Sequence, residues 1–168
     1  MLRTGIPNDA EMIEKIRVAA WRVAYRDFMP PEYLSKLNPL QHVADLQKTL
    51  SEQSMEFFVS VAEEEGQVVA FSMLGKPRYN TKADSIELWA LNVHPEHWRK
   101  GIGQTLIKKA LAMSAKSGFK ALELWCIQGN IPAEIAYRKA GFTASGKERQ
   151  SSQLTGNLLH ELHYIKKI

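Results

Sequence analysis

Residues 85–113 read SIELWALNVHPEHWRKGIGQTLIKKALAM, and this junction limits the possible folds more than any other stretch. An apolar, strand-like run (86–93) passes through WRKGIG (98–103) into a segment whose apolar residues recur at helical spacing. A strand that turns directly into an amphipathic helix belongs to the layered α/β architectures. A helix starting just after such a turn leaves its first N–H groups unpaired, with the positive end of its dipole behind them. Gly101 and Gly103 let main chain approach an anion without a Cβ in the way, and Arg99 and Lys100 add charge that no acid on the turn cancels. Taken alone, the six residues are equally a plain turn with solvated cations. Position 106 is Leu and no Gly-Lys-Ser/Thr follows, so the three-glycine dinucleotide and P-loop fingerprints are excluded.

Around this junction the hydrophobic period alternates between helix and strand. A short strand is predicted near residues 2 to 5. A helix to about Tyr25 follows, with Asn8 and Glu11 as a capping pair and Ile13, Ile16, Ala20 and Val23 on one face. MPPEYLSKL and LQHVADLQKTL read as a short and a longer helix, with Pro30 and Pro31 imposing a break. FFVSVA and QVVAFSML form a hairpin across EEEG, where Gly66 supplies positive φ. SIELWALNV is a fourth strand. The next helix, 103 to about 117, turns Leu106, Ala110, Leu111 and Met113 inward and stops at Gly118. ALELWCI is a strand, and IPAEIAYRKAG a helix with Pro132 in its first turn and Gly141 past its end. Strands around 142–149 and in the tail LLHELHYIKKI complete the chain.

With 168 residues, 45% hydrophobic and 24% charged, the chain is read as one soluble domain able to bury about 70% of its unfolded surface. The single cysteine, Cys126, excludes an intramolecular disulfide and a multi-cysteine metal site, which fits a reducing, cytoplasmic setting. No bilayer-spanning run and no leader-like N-terminus is expected. The net charge of +4 favours an anionic ligand, but the 22 Lys and Arg are interleaved with 18 acids, so no nucleic-acid partner is signalled.

LNVHPEHWRKGIGQTLI resembles the strand-four and pyrophosphate-loop motif of the Gcn5-related N-acetyltransferase (GNAT) superfamily, in which Q/R-x-x-G-x-G/A wraps the pyrophosphate of acetyl-CoA. NIPAEIAYRKAGF is similar to the second family signature, an Asn followed seven residues later by Tyr and then by Gly-Phe. The likeness covers nearly the whole chain. One departure is visible: Trp98 stands where the family motif begins with Gln or Arg. Main-chain anion binding depends on small residues at 101 and 103 more than on residue 98.

The resemblance implies an α/β fold with a mixed, mostly antiparallel sheet of about seven strands, helices on both faces, and the cofactor between strands four and five where they diverge. It implies a single acetyltransferase domain over 1–168 that moves an acetyl group from acetyl-CoA, as cosubstrate, to a primary amine by direct attack. An amine of lysine-like pKa, about 10.4, must lose a proton before attack, and the departing thiolate gains one, so a base and an acid are needed. Glu87 resembles the family base, or is a strand carboxylate. Tyr137 matches the tyrosine that acts as general acid beside the sulfur, or packs on the sheet.

By the same likeness the cofactor arm pairs with the main chain of Leu91 and Val93, with Asn92 between, and its pyrophosphate meets Arg99, Lys100, Gly101, Ile102, Gly103 and Gln104. Asn130 touches the pantetheine arm or stabilises its own turn. Trp21, Tyr25 and Trp89 are candidates for contact with a small-molecule or peptide amine. Cys126 reads as a buried thiol. His94 and His97 lack a third ligand at metal spacing, and no metal is expected. A non-catalytic acyl-CoA sensor, an enzyme acting on a protein N-terminus or charged tRNA, and a nucleic-acid binder remain as alternatives. An oligomer is left open.

Overall fold

The structure is a computed structural model that describes residues 1–79 and 84–168. Its elements run β1 (Leu2–Thr4), α1 (Ala10–Ala24), α2 (Pro31–Lys36), α3 (Val43–Ser51), β2 (Phe58–Glu64), β3 (Gln67–Gly75), β4 (Ser85–Val93), α4 (Ile102–Lys116), β5 (Ala121–Ile127), α5 (Ile131–Lys139), β6 (Thr143–Ser151) and β7 (Leu159–Lys167). The seven strands form one sheet in the order β1-β2-β3-β4-β5-β7-β6. Every neighbouring pair is antiparallel except β4 with β5.

Strand alternation sends side chains to two helical layers. Val59, Val61 and Phe71 meet Ile13 and Ile16 of α1 and Leu46 and Leu50 of α3. On the opposite face Leu74, Ile86, Leu88, Leu122 and Leu124 pack with Ile107 and Ala110 of α4. The β2–β3 turn has positive φ at both Glu65 (50°) and Gly66 (81°), the two-residue turn whose twist matches its strands.

Three details differ from the expected ones. Asp9, not Asn8 with Glu11, organises the start of α1: its Oδ2 accepts the Ile6 amide at 2.8 Å, and both its oxygens accept from Arg3. Burial alone would raise the Asp9 carboxyl, but these bonds outweigh it and hold the group below its ordinary range. Val23 is 43% exposed rather than inward. Pro30 and Pro31 open α2 instead of separating it from α3.

Two irregularities shape the middle of the sheet. Met73 pairs with Ala90 and Leu74 with Leu88, so Trp89 is the extra residue of a bulge on β4. The bulge shifts the alternation by one, so that Leu91 and Val93 join Ile86 and Leu88 on the α4 side. Beyond it, β4 and β5 part: they pair only at Ser85–Ala121, Ile86–Leu122 and Glu87–Glu123.

Candidate active site

Where β4 and β5 separate, one edge of β4 is left without a strand neighbour. His94 N donates to Val69 O at 2.8 Å, and Val93 lies opposite Ala70. Hydrogen-bonded and non-bonded pairs alternate along an antiparallel ladder. Asn92 therefore points its main chain at β3, while Leu91 and Val93 point theirs into the notch. The expected Leu91 and Val93 groups are thus presented, and the Asn92 main chain is not. The Trp98 indole donates from Nε1 to Val93 O at 2.6 Å. The residue that departs from the family motif thereby occupies one of the notch's acceptors, leaving the Leu91 N–H and C=O and the Val93 N–H.

The notch runs up to the start of α4. Gly101 is the N-terminal cap residue at φ 81°, and no carboxylate lies in the first turn. The amides of Ile102, Gly103 and Gln104 have no partner within the helix. A Cβ on Gly103 would lie 3.8 Å from Leu91 and 3.9 Å from Val93, so this glycine sits against the notch-facing strand. Arg99, at φ 62°, makes no ion pair among the described residues. Lys100 is less free than its sequence neighbours suggest: Nζ lies 3.4 Å from Glu64 Oε2, contributed by the β2–β3 hairpin. The Gln104 side chain donates to Ala136 O at 2.8 Å and ties α4 to α5.

Helix α5 forms the other wall. The Asn130 side chain makes no capping bond, unusually for an Asn at a helix start. Its turn is held instead by buried Glu134, whose Oε1 accepts the Gly129 amide at 3.0 Å and whose Oε2 accepts the Tyr164 hydroxyl at 3.2 Å. The Tyr137 ring packs beside Phe142 and Tyr164, with centroids at 5.9 and 6.5 Å. The side chain is partly buried; desolvation raises the phenol, and Cys126 and Tyr25 add to the effect. Burial likewise pushes the Cys126 thiol and the Tyr25 phenol up to about 12 each. Tyr25 comes from the α1 face and Tyr137 from the α4 face, so the two sides of the sheet meet through the notch. Trp21 packs edge-on against Tyr25 at 5.4 Å, beside Met29, Leu34 and Ile127.

At the fork itself stand two buried carboxylates. Glu87 is 0% exposed. Its Oε1 accepts from Arg78 Nε at 3.0 Å and Nη2 at 2.6 Å, and its Oε2 accepts the Arg78 amide at 2.8 Å. Three of a carboxylate's roughly four acceptor positions are thus taken. Beside it in register is Glu123, which was not among the expected residues. The available signal was the recurrence of Glu-Leu-Trp at 87–89 and 123–125, which puts equivalent residues on two parallel strands. Trp89, by contrast, is fixed against β3: its Nε1 donates to Lys76 O at 3.0 Å, and its ring leaves no room for a side chain at Gly75. It lines a shallow depression of ≈ 370 Å³ with Thr49, Phe57 and Lys76.

The ligand atoms of His94, Glu96 and His97 lie within 4.8 Å of one another. His97 Nδ1 is already 2.6 Å from Glu64 Oε2 and 3.4 Å from the Lys100 ammonium, a poor setting for a second cation. Among the described residues no helix is long and apolar enough to cross a membrane. The site can therefore pair an extended amide-bearing ligand with a strand edge, hold its anionic end on helix amides, and offer a phenol and two carboxylates to the chemistry between.

The chain is similar to known acetyltransferases. The acetyltransferase (GNAT) family model matches residues 13–142. The uncharacterized N-acetyltransferase YuaI of Bacillus subtilis is 28% identical over 131 residues, 78% of this chain and 73% of that one. The solved ribosomal-protein-alanine N-acetyltransferase of Brucella melitensis superposes with a TM-score of 0.80 at 23% identity, covering 100% of this chain and 99% of its own. PaiA N-acetyltransferase of Thermoplasma acidophilum, in complex with coenzyme A, superposes at 0.76 with 20% identity, covering 100% and 98%.

Proposed function

The chain belongs to the acetyltransferase (GNAT) family, and from that premise we propose that it acts as one domain, transferring the acetyl group of acetyl-CoA to the primary amine of a small molecule or peptide. The observation that carries this reading is the unpaired β4 edge at Leu91 and Val93 running up to the free amides of α4. The pantetheine amides of acetyl-CoA match that edge as an added strand would. Its pyrophosphate matches the amides of Ile102, Gly103 and Gln104, with Arg99 and Lys100 beside them and Asn130 facing the arm.

The amine attacks the thioester carbon directly. A C–N bond forms, the C–S bond breaks, and the thiolate takes the Tyr137 proton. Glu87 serves as base through the acceptor position that the described residues leave open, directly or through water, while Arg78 balances its charge. Tyr25 and Trp21 wall the acceptor side. Release of CoA thiol from acetyl-CoA, followed over a panel of amines with purified protein, tests the proposal. Turnover with at least one amine supports it; acetyl-CoA binding with no turnover across the panel makes the chain an acyl-CoA sensor instead.

A further inference from the structure

The Glu87–Arg78 pair leaves open where the acceptor's proton goes. A bound ammonium that becomes an amide delivers its N-linked hydrogens to two places: one to the thiolate, by way of Tyr137, and one to solvent. A neutral amine releases none to solvent. With Glu87 as base the second proton would start at the fork, whose two carboxylates are buried.

Glu123 sits there at 2% exposure, next in register to Glu87 and on the same face. Its Oε2 lies 3.4 Å from His163 Nε2 on β7. His163 is also 2% exposed. Its Nδ1 lies 2.7 Å from Ser145 Oγ on β6, and Ser145 is at the surface. The Trp125 ring, 4.9 Å from the imidazole, closes the string from the side. Among the described residues, charges on the elements packed against it are paired: Glu87 with Arg78, Arg149 with Glu161 at 2.6 Å, and Glu14 with Arg17 at 2.7 Å on α1, the helix packed over β4. Arg78 offers only donors, whereas an imidazole can accept a hydrogen bond at one ring nitrogen while donating from the other.

We infer that Glu123, His163 and Ser145 form the exit route for the proton of the acceptor ammonium, running from the strand fork to the surface of β6. The ammonium N–H bond breaks and its electron pair stays on nitrogen. The proton passes to Glu123 and is shared with His163 Nε2; the imidazole then gives up its Nδ1 proton past Ser145 Oγ to water. No other reactant is needed. Glu123 receives the proton, and His163 and Ser145 are positioning residues that act through it. The inference rests on the acetyl-transfer reading but not on Glu87 receiving the proton first.

The test uses the whole protein and an acceptor whose amine has an α-amino pKa of about 8. The kcat/KM of wild type, His163→Gln, Glu123→Gln and Ser145→Ala is measured from pH 6 to 9, beside melting curves and acetyl-CoA titrations. The route predicts that His163→Gln and Glu123→Gln fall on the order of 10²-fold below wild type at pH 6.5. The deficit closes to within about threefold at pH 9, where the amine arrives neutral. Ser145→Ala, at the surface and safe for folding, shows the same closure on a smaller scale. A pH-independent deficit, or none, overturns the route. Wild type without CoA release at any pH instead removes the acetyl-transfer reading beneath it.

Discussion

Tyr137 and Cys126 report on the same small volume. The thiol there is pushed up to about 12 by burial, and a CoA thiolate forming beside it meets the same desolvation, so a proton donor at the sulfur gains in value. Raised by that burial itself, Tyr137 stays protonated through neutral pH. Tyr137→Phe should lower kcat by about 10²- to 10⁴-fold, roughly 3 to 5 kcal/mol of barrier, with acetyl-CoA affinity and melting temperature near wild type. A variant with normal kcat and a lower melting point returns the ring to the core. Glu87→Gln should slow turnover with a basic amine most at low pH while acetyl-CoA affinity holds; equal rates from pH 6 to 8 would dismiss the base. That Tyr137, Asn130 and the glycine loop would come to stand around one notch was legible because their motifs are local. The nearness of Glu123 and His163 to Glu87 was not, because it depends on the register of β4, β5 and β7. Arg78 meets Glu87 nine residues further on, a pairing that no periodicity reveals.

Most element boundaries followed from chemistry that can be read locally. Gly118 and Gly141 end α4 and α5 at φ 83° and 89°, as their positions after amphipathic runs indicate. The start of α1 was misread because Asp9 is organised by Arg3, a residue of another element. The break after α2 was misread because Pro at a helix's first position starts it rather than stopping it. Arg22 of α1 holds this segment in place: its guanidinium donates to the carbonyls of Leu34, Ser35 and Leu37, which the end of α2 leaves unpaired. Arg22→Met keeps the stem and removes those donors. It should raise the KM for the amine more than that for acetyl-CoA, because α2 stands on the Tyr25 side; equal effects on both would detach α2 from the acceptor. At α4, no atom of the described residues beyond its own stretch of chain lies within 4 Å of where a Gly101 Cβ would stand, so Gly101→Ala tests the left-handed backbone alone. It should cost about 1 kcal/mol in stability and weaken acetyl-CoA binding, with Gly101→Asn milder. Calorimetric affinities equal to wild type in both would remove the loop from the site.

Across the whole molecule, the proposed ligand would touch β4, α4 and α5, elements from both parts of the sheet. At 100 times its Kd it should therefore stabilise the fold by about 2.7 kcal/mol, which for a chain of this size raises the melting temperature by roughly 5 to 10 °C. Free CoA should do nearly as well as acetyl-CoA, and Gly101→Ala should lose most of the shift. An unchanged melting curve at saturating acetyl-CoA would contradict the site.

Only three residue pairs stitch β4 to β5. In mechanical terms the sheet is two stiff plates, β1 to β4 and β5 with β7 and β6, riveted at one end and open at the other. A load on the molecule would spread the plates there first, and the open end is the compliant one. On the proposed reading, a cosubstrate lying along Leu91 and Val93 would act as the missing rivet line, and the protein would reach its full rigidity only while holding the molecule it is about to spend.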